Sequence, residues 1–120
     1  MEMTVDRLKE VAAAWGRADI ETLMTFVAPD CVYSASVGPE PGETFVGKEA
    51  VRAGFLKLLA HDRGSVSEPG QIRIVGDWAV FTWGFRRTVG DGSRVVRGCD
   101  LFEFRDGLIV RKDSFRKTTS

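Results

Sequence analysis

A chain of 120 residues, 43% hydrophobic and 28% charged, has the length and make-up of one soluble domain, so residues 1–120 are expected to share a single core. Seventeen Lys and Arg balance seventeen Asp and Glu, which removes the positive footprint that a general nucleic-acid or anionic-membrane binder needs. No run reaches the roughly 18 apolar residues of a membrane span, and Met1–Lys9 is too charged for a secretory leader, so a cytoplasmic location is the default expectation.

In chain order, Val5, Leu8, Ala12 and Trp15 recur at helical spacing between a cap at Thr4 and a stop at Gly16, predicting a helix over Val5–Trp15. Asp19 caps a second helical run carrying Ile20, Leu23, Met24 and Val27, which Pro29 should end. Cys31–Val37 suits a strand, and Gly38–Gly47, with Pro39 and Pro41, reads as a loop lying over the fold as a flap. A third helix is expected over Lys48–Ala60, with Val51, Phe55, Leu58 and Leu59 facing in. Gly54 inside it costs about 1 kcal/mol relative to Ala and so points to close packing. Beyond Pro69 the period changes: Gln71–Val75, Trp78–Val89, Arg94–Phe104 and Leu108–Arg116 are strands separated by Gly76-Asp77, Gly90-Asp91-Gly92 and Asp106-Gly107 turns. Helices first and an antiparallel meander second describe an α+β domain with helices on one face of a curved sheet.

Alternation along Arg94–Phe104 puts Val96, Gly98, Asp100, Phe102 and Phe104 on one face, which leaves Asp100 as a carboxylate in an apolar stripe. Such a group must be paired, protonated or open to a cavity. The structural alternative is an ion pair with a neighbouring-strand arginine such as Arg86, or a hydrogen bond that pins the sheet. Cys31 and Cys99 stand far apart without metal-ligand spacing and read as reduced thiols; no metal and no cofactor is expected. His61, the one histidine, is expected to be solvated at the end of the third helix. Arg86, Arg87, Arg94, Arg97, Arg111, Lys112, Arg116 and Lys117 make the second half basic, and the plainer account of them is a solvated sheet face.

Particular words sit in particular places along this pattern: Trp15-Gly-Arg-Ala-Asp-Ile20, Ala28-Pro-Asp-Cys-Val-Tyr33, Gly47-Lys-Glu-Ala-Val51 and Asp100-Leu-Phe-Glu-Phe-Arg-Asp-Gly-Leu-Ile109. They resemble the SnoaL-like branch of the nuclear transport factor 2-like superfamily, the polyketide cyclase and ketosteroid isomerase relatives. The resemblance implies a cystatin-like α+β barrel, in which a cone of curved antiparallel sheet is closed by three N-terminal-side helices. It also implies an apolar pocket in the cone and a homodimer formed through the sheet. Asp100 falls where those isomerases keep an oxyanion-hole aspartate and where the cyclases keep an acid/base aspartate; the former is a known case of environment-tuned acidity. The rest of the isomerase set is missing: Ala35 stands in the general-base position, and Val11, Val27 and Phe55 in the tyrosine positions. Of the polar set of limonene epoxide hydrolase only Tyr33 remains, with Ala35, Gly84, Arg86 and Ser114 at the other positions.

The expected activity is isomerisation, cyclisation or dehydration of a small apolar carbonyl compound with Asp100 as acid/base. Trp15, Tyr33, Ala35, Phe55, Leu59, Phe102 and Ser114 are the expected binding residues. A carrier that binds without turnover, or a dimeric interaction module of the same fold, are the alternatives.

Overall fold

Thr4 opens α1 (Val5–Gly16), its hydroxyl accepting from the Arg7 amide at 3.1 Å. Asp19 does the same for the short α2 (Ile20–Met24), accepting from the Thr22 amide at 3.1 Å. The computed structural model describes residues 2–68 and 70–117. Helix α3 spans Lys48–His61, and among the described residues there are seven strands: β1 Val27–Ser34, β2 Thr44–Val46, β3 Val66–Glu68, β4 Ile72–Val75, β5 Trp78–Val89, β6 Gly92–Arg105 and β7 Leu108–Arg116. They form one curved, unclosed sheet in the order β2-β1-β7-β6-β5-β3, with β4 also pairing β5.

Three sequence expectations change here. Helix α2 stops at Met24, and Val27, expected on its apolar face, already belongs to β1. Pro29 therefore lies in a strand, where it is tolerated because the β1–β7 register shifts between Val27 and Val32, so its missing N–H breaks no ladder bond. The flap is partly structured: Thr44–Val46 pairs antiparallel with Val32–Ser34. The sheet, expected to be wholly antiparallel, contains one parallel pair, β1 with β7. Parallel neighbours cannot be joined by a hairpin, and here the whole chain between β1 and β7 serves as the crossover.

Helices and inner sheet face enclose the core. Leu8, Ala14, Leu23, Val51, Phe55 and Leu58 from the helices meet Val27, Cys31, Tyr33, Ala79, Phe102 and Ile109 from the strands, each large side chain contributing roughly 1.5–3 kcal/mol of burial. Gly54 has the packing reason that its helical position suggested. A Cβ there would lie 2.6 Å from the Phe45 ring of β2, so the missing side chain lets the flap strand seat against α3. Alternation on β6 holds as expected, with Asp100, Phe102 and Phe104 buried and Leu101 exposed. Among the described residues no helix is long and apolar enough to cross a membrane.

Candidate functional site

Asp100 lies mid-strand on β6, in register with Phe81 of β5 and Ser114 of β7, and is only 8% exposed. Two neutral donors hold one of its oxygens. The Ser114 hydroxyl donates to Oδ1 at 2.6 Å and the Trp83 indole N–H donates to the same oxygen at 2.9 Å. Gly98 makes the second bond possible, since a Cβ at that position would fall 2.5 Å from the Trp83 ring and against the Phe115 carbonyl. The other oxygen, Oδ2, faces the Lys112 ammonium at 3.8 Å. That is an ion pair without hydrogen-bond length. Arg86, the partner suggested by sequence, is turned elsewhere: its guanidinium sits 3.4 Å from Glu68 and donates to Ser93.

Lys112 is the residue that sequence reading placed wrongly. It belongs to no solvated face but is 6% exposed, with Nζ over three rings: Trp15 at 4.0 Å, Tyr33 at 4.8 Å and Phe55 at 5.1 Å from the centroids. Burial in this cage lowers its pKa below the usual lysine range and outweighs the opposing pull of Asp100, Cys31 and Asp62. The Tyr33 hydroxyl shifts upward, mainly through burial and then through the charges of Asp100 and Asp62.

Five of the expected binding residues lie beside this pair, Trp15, Tyr33 and Phe55 around Lys112, Ser114 against Asp100 and Phe102 in register with Lys112. Trp15 meets Phe55 edge-on at 5.3 Å and Tyr33 meets Phe55 at 4.9 Å. Ser114 holds Asp100, and Ala35, Leu59 and Phe102 belong to the same core cluster. Tyr33, Ala35, Phe55, Phe102 and Ser114 are buried, whereas Trp15 and Leu59 are half-buried. Lys112 and Trp83 were missed as site residues. A signal existed for the lysine, because period two from Ser114 carries it to the same face.

The sequence places this geometry in a known setting, because residues 8–112 match the family described as the SnoaL-like domain. The chain belongs to the SnoaL-like family. Solved structures share the SnoaL-like fold at low identity. A protein of unknown function with a cystatin-like fold from Xanthomonas campestris is 22% identical, with a TM-score of 0.76 over 97% of this chain and 92% of that one. A proposed polyketide cyclase from Xanthomonas campestris pv. campestris is 20% identical, with a TM-score of 0.68 over 92% and 87%. TerC, co-crystallised with polyporic acid, is 20% identical, with a TM-score of 0.75 over 94% and 90%. Among curated proteins none matches the sequence.

Two further features surround the SnoaL-like site. At the end of α3, Asp62 takes a two-pronged bond from Arg116 of β7 at 2.8 and 3.1 Å, and the Arg116 guanidinium lies over the Trp83 and Phe85 rings. Burial pushes the Asp62 carboxyl up, but the hydrogen bonds from Arg116 and His61 win and hold it below the usual range. His61 is exposed, as expected, yet its Nδ1 lies 3.0 Å from Asp62 Oδ1, a contact open to sequence neighbours because Asp62 is the helix C-cap. On the opposite face of the sheet an open concavity of about 620 Å³ is lined by Thr82, Gly84, Val95, Arg97, Cys99 and Phe115, among others. Among the described residues no group of three or more His, Cys, Asp or Glu side chains is arranged to hold a metal ion.

Proposed function

We propose that this SnoaL-like protein takes a small apolar carbonyl compound into its cone and moves a proton on it, in an isomerisation, cyclisation or dehydration, with Asp100 as the acid/base. The observation that carries the reading is the division of labour on one carboxylate. Trp83 and Ser114 fix Oδ1, while Oδ2 points at Lys112 and accepts no side-chain hydrogen bond from the other described residues. A fixed oxygen sets orientation and the second exchanges the proton. The aromatic walls supply apolar contact with few competing polar groups. Trp15 and Leu59, half-buried, are the residues past which a ligand would enter. That TerC, of the same fold, was co-crystallised with polyporic acid supports small-molecule binding as a use of this architecture.

The test is proton exchange at the carbon next to a carbonyl. A panel of cyclic ketones such as 2-tetralone is incubated in deuterated buffer, and loss of the α-proton signal is followed by NMR. Wild type should exceed buffer, and Asp100→Asn should lose about 10²–10⁴ of the acceleration. Wild type no faster than buffer across the panel would remove the acid/base reading and leave the carrier reading in its place.

The same proposal has two copies meeting through the outer sheet face. What supports it is Phe115 at 46% exposure and Leu101 at 38% on that face, together with the concavity between the strands there.

A further inference from the structure

The acid/base proposal uses Lys112 only as a neighbouring charge, which leaves the cost of burying it unexplained. A lysine kept for stability alone would close on its carboxylate to hydrogen-bond distance, or be replaced by an apolar residue of similar length. Here Nζ stands 3.8 Å from Asp100 Oδ2 and is walled by three rings. A side chain of this kind is a nucleophile in waiting, because an amine desolvated among apolar groups carries its lone pair at a pH where solvated lysines do not.

We infer that Lys112 is a covalent site for apolar aldehydes and ketones, forming an imine through Nζ with Asp100 relaying the protons. The inference rests on the acid/base reading of Asp100 for its proton relay but not for the nucleophile. The Nζ lone pair attacks the carbonyl carbon, and the π pair of the C=O bond moves to oxygen, which takes a proton from Asp100. The nitrogen, positively charged after attack, returns one proton to Asp100. That proton goes to the hydroxyl, which leaves as water while the nitrogen lone pair closes the C=N bond. The product at that point is the protonated imine, which returns its N–H proton to Asp100; the sum is then amine plus carbonyl giving imine plus water, with no oxidant or reductant.

The charged and titratable groups facing Nζ come from every side of the cone: Asp100 on β6, Cys31 and Tyr33 on β1, and Asp62 at the end of α3. Their net pull opposes deprotonation, and the cage's desolvation overrides it. Trp15 is the half-buried ring of the three, so the carbonyl compound reaches Nζ from its side. Aromatic or alicyclic substituents suit those walls.

The probe is 1-phenylbutane-1,3-dione, which condenses with a free amine to a stable conjugated enaminone that reports by near-ultraviolet absorbance. At pH 7 the folded chain should gain the mass of one diketone less one water, mapped by peptide mass to Lys112. The reaction there should run at least about tenfold faster than at Lys9, Lys48, Lys57 or Lys117, all of them exposed. Lys112→Arg, which keeps the cation in the cage, should abolish the fast phase, and Lys112→Met serves the same purpose if the arginine variant folds poorly. An even spread over the five lysines of wild type, or no adduct at Lys112, would overturn the inference without reference to any variant. The two proposals fail separately. A fast Lys112 adduct with equal rates in wild type and Asp100→Asn sinks the proton role of Asp100 alone; no Lys112 adduct in a wild type that still accelerates α-proton exchange sinks the lysine alone.

Discussion

Removing the charge of Asp100 should hurt the fold more than removing that of Lys112, and removing both should hurt less than the two losses added. At 3.8 Å two unit charges in a medium of effective dielectric about 20 attract by about 4 kcal/mol, which roughly offsets the several kcal/mol that desolvating each ion costs. Asp100→Asn keeps the shape but leaves a caged ammonium with an amide opposite it, a loss of about 3–5 kcal/mol. Lys112→Met leaves a carboxylate that still accepts from Trp83 and Ser114, so about 1–3 kcal/mol is expected. The double variant should recover part of this, a coupling of about 2–3 kcal/mol, and lie between the two single variants. Urea unfolding at pH 7, with unchanged slopes as the check on two-state behaviour, measures all four corners. Additivity within about 0.5 kcal/mol would show that the two groups do not sense each other. A lysine variant weaker than the asparagine one would refute the compensating role given to Trp83 and Ser114.

The acid limb of stability should depend on Asp62. Its folded pKa lies below the unfolded one, so its contribution is complete above about pH 4 and is lost as pH falls through the folded value. Asp62→Asn should cost about 1.5–3 kcal/mol at pH 7 and flatten that limb, and parallel pH–stability curves for the two proteins would contradict the assignment. On the outer face, Phe115→Glu should halve the mass seen by sedimentation at micromolar concentration while leaving the melting of the chain little changed. A wild type that sediments as a monomer throughout a dilution series would end the dimer proposal.

What could be read ahead of the structure was whatever depends on local chemistry. Thr4 and Asp19 announce helix starts because short oxygen-bearing side chains satisfy the first amides. Asp100 stood out because period two needs no knowledge of neighbouring strands. The errors share one physical origin, since each depends on pairing between distant segments. The end of α2 is set by Val27 joining β7, which nothing in Ile20–Val27 reveals. Lys112 was assigned to a solvated face because a basic residue on a strand is usually wet, and the three rings that cover it come from α1, β1 and α3. Arg86 was a reasonable partner for Asp100 on adjacent strands, yet it lies on the other side of the pleat, opposite Val95. An arginine at an even offset from Phe81 would have been needed.

The position of β7 between β1 and β6 has a consequence for biosynthesis. Until Leu108–Arg116 has left the ribosome, the nascent chain can hold a helical N-terminal part and a β3–β6 hairpin array, but no ladder joins them. Both β1 and β6 then present open edges, the form in which partly made sheet proteins are most prone to aggregate. The strand that closes this gap also delivers Lys112 and Ser114. Long-range pairing of this kind is slow, so Lys112 reaches its aromatic cage in the same event that ends the exposure of those edges.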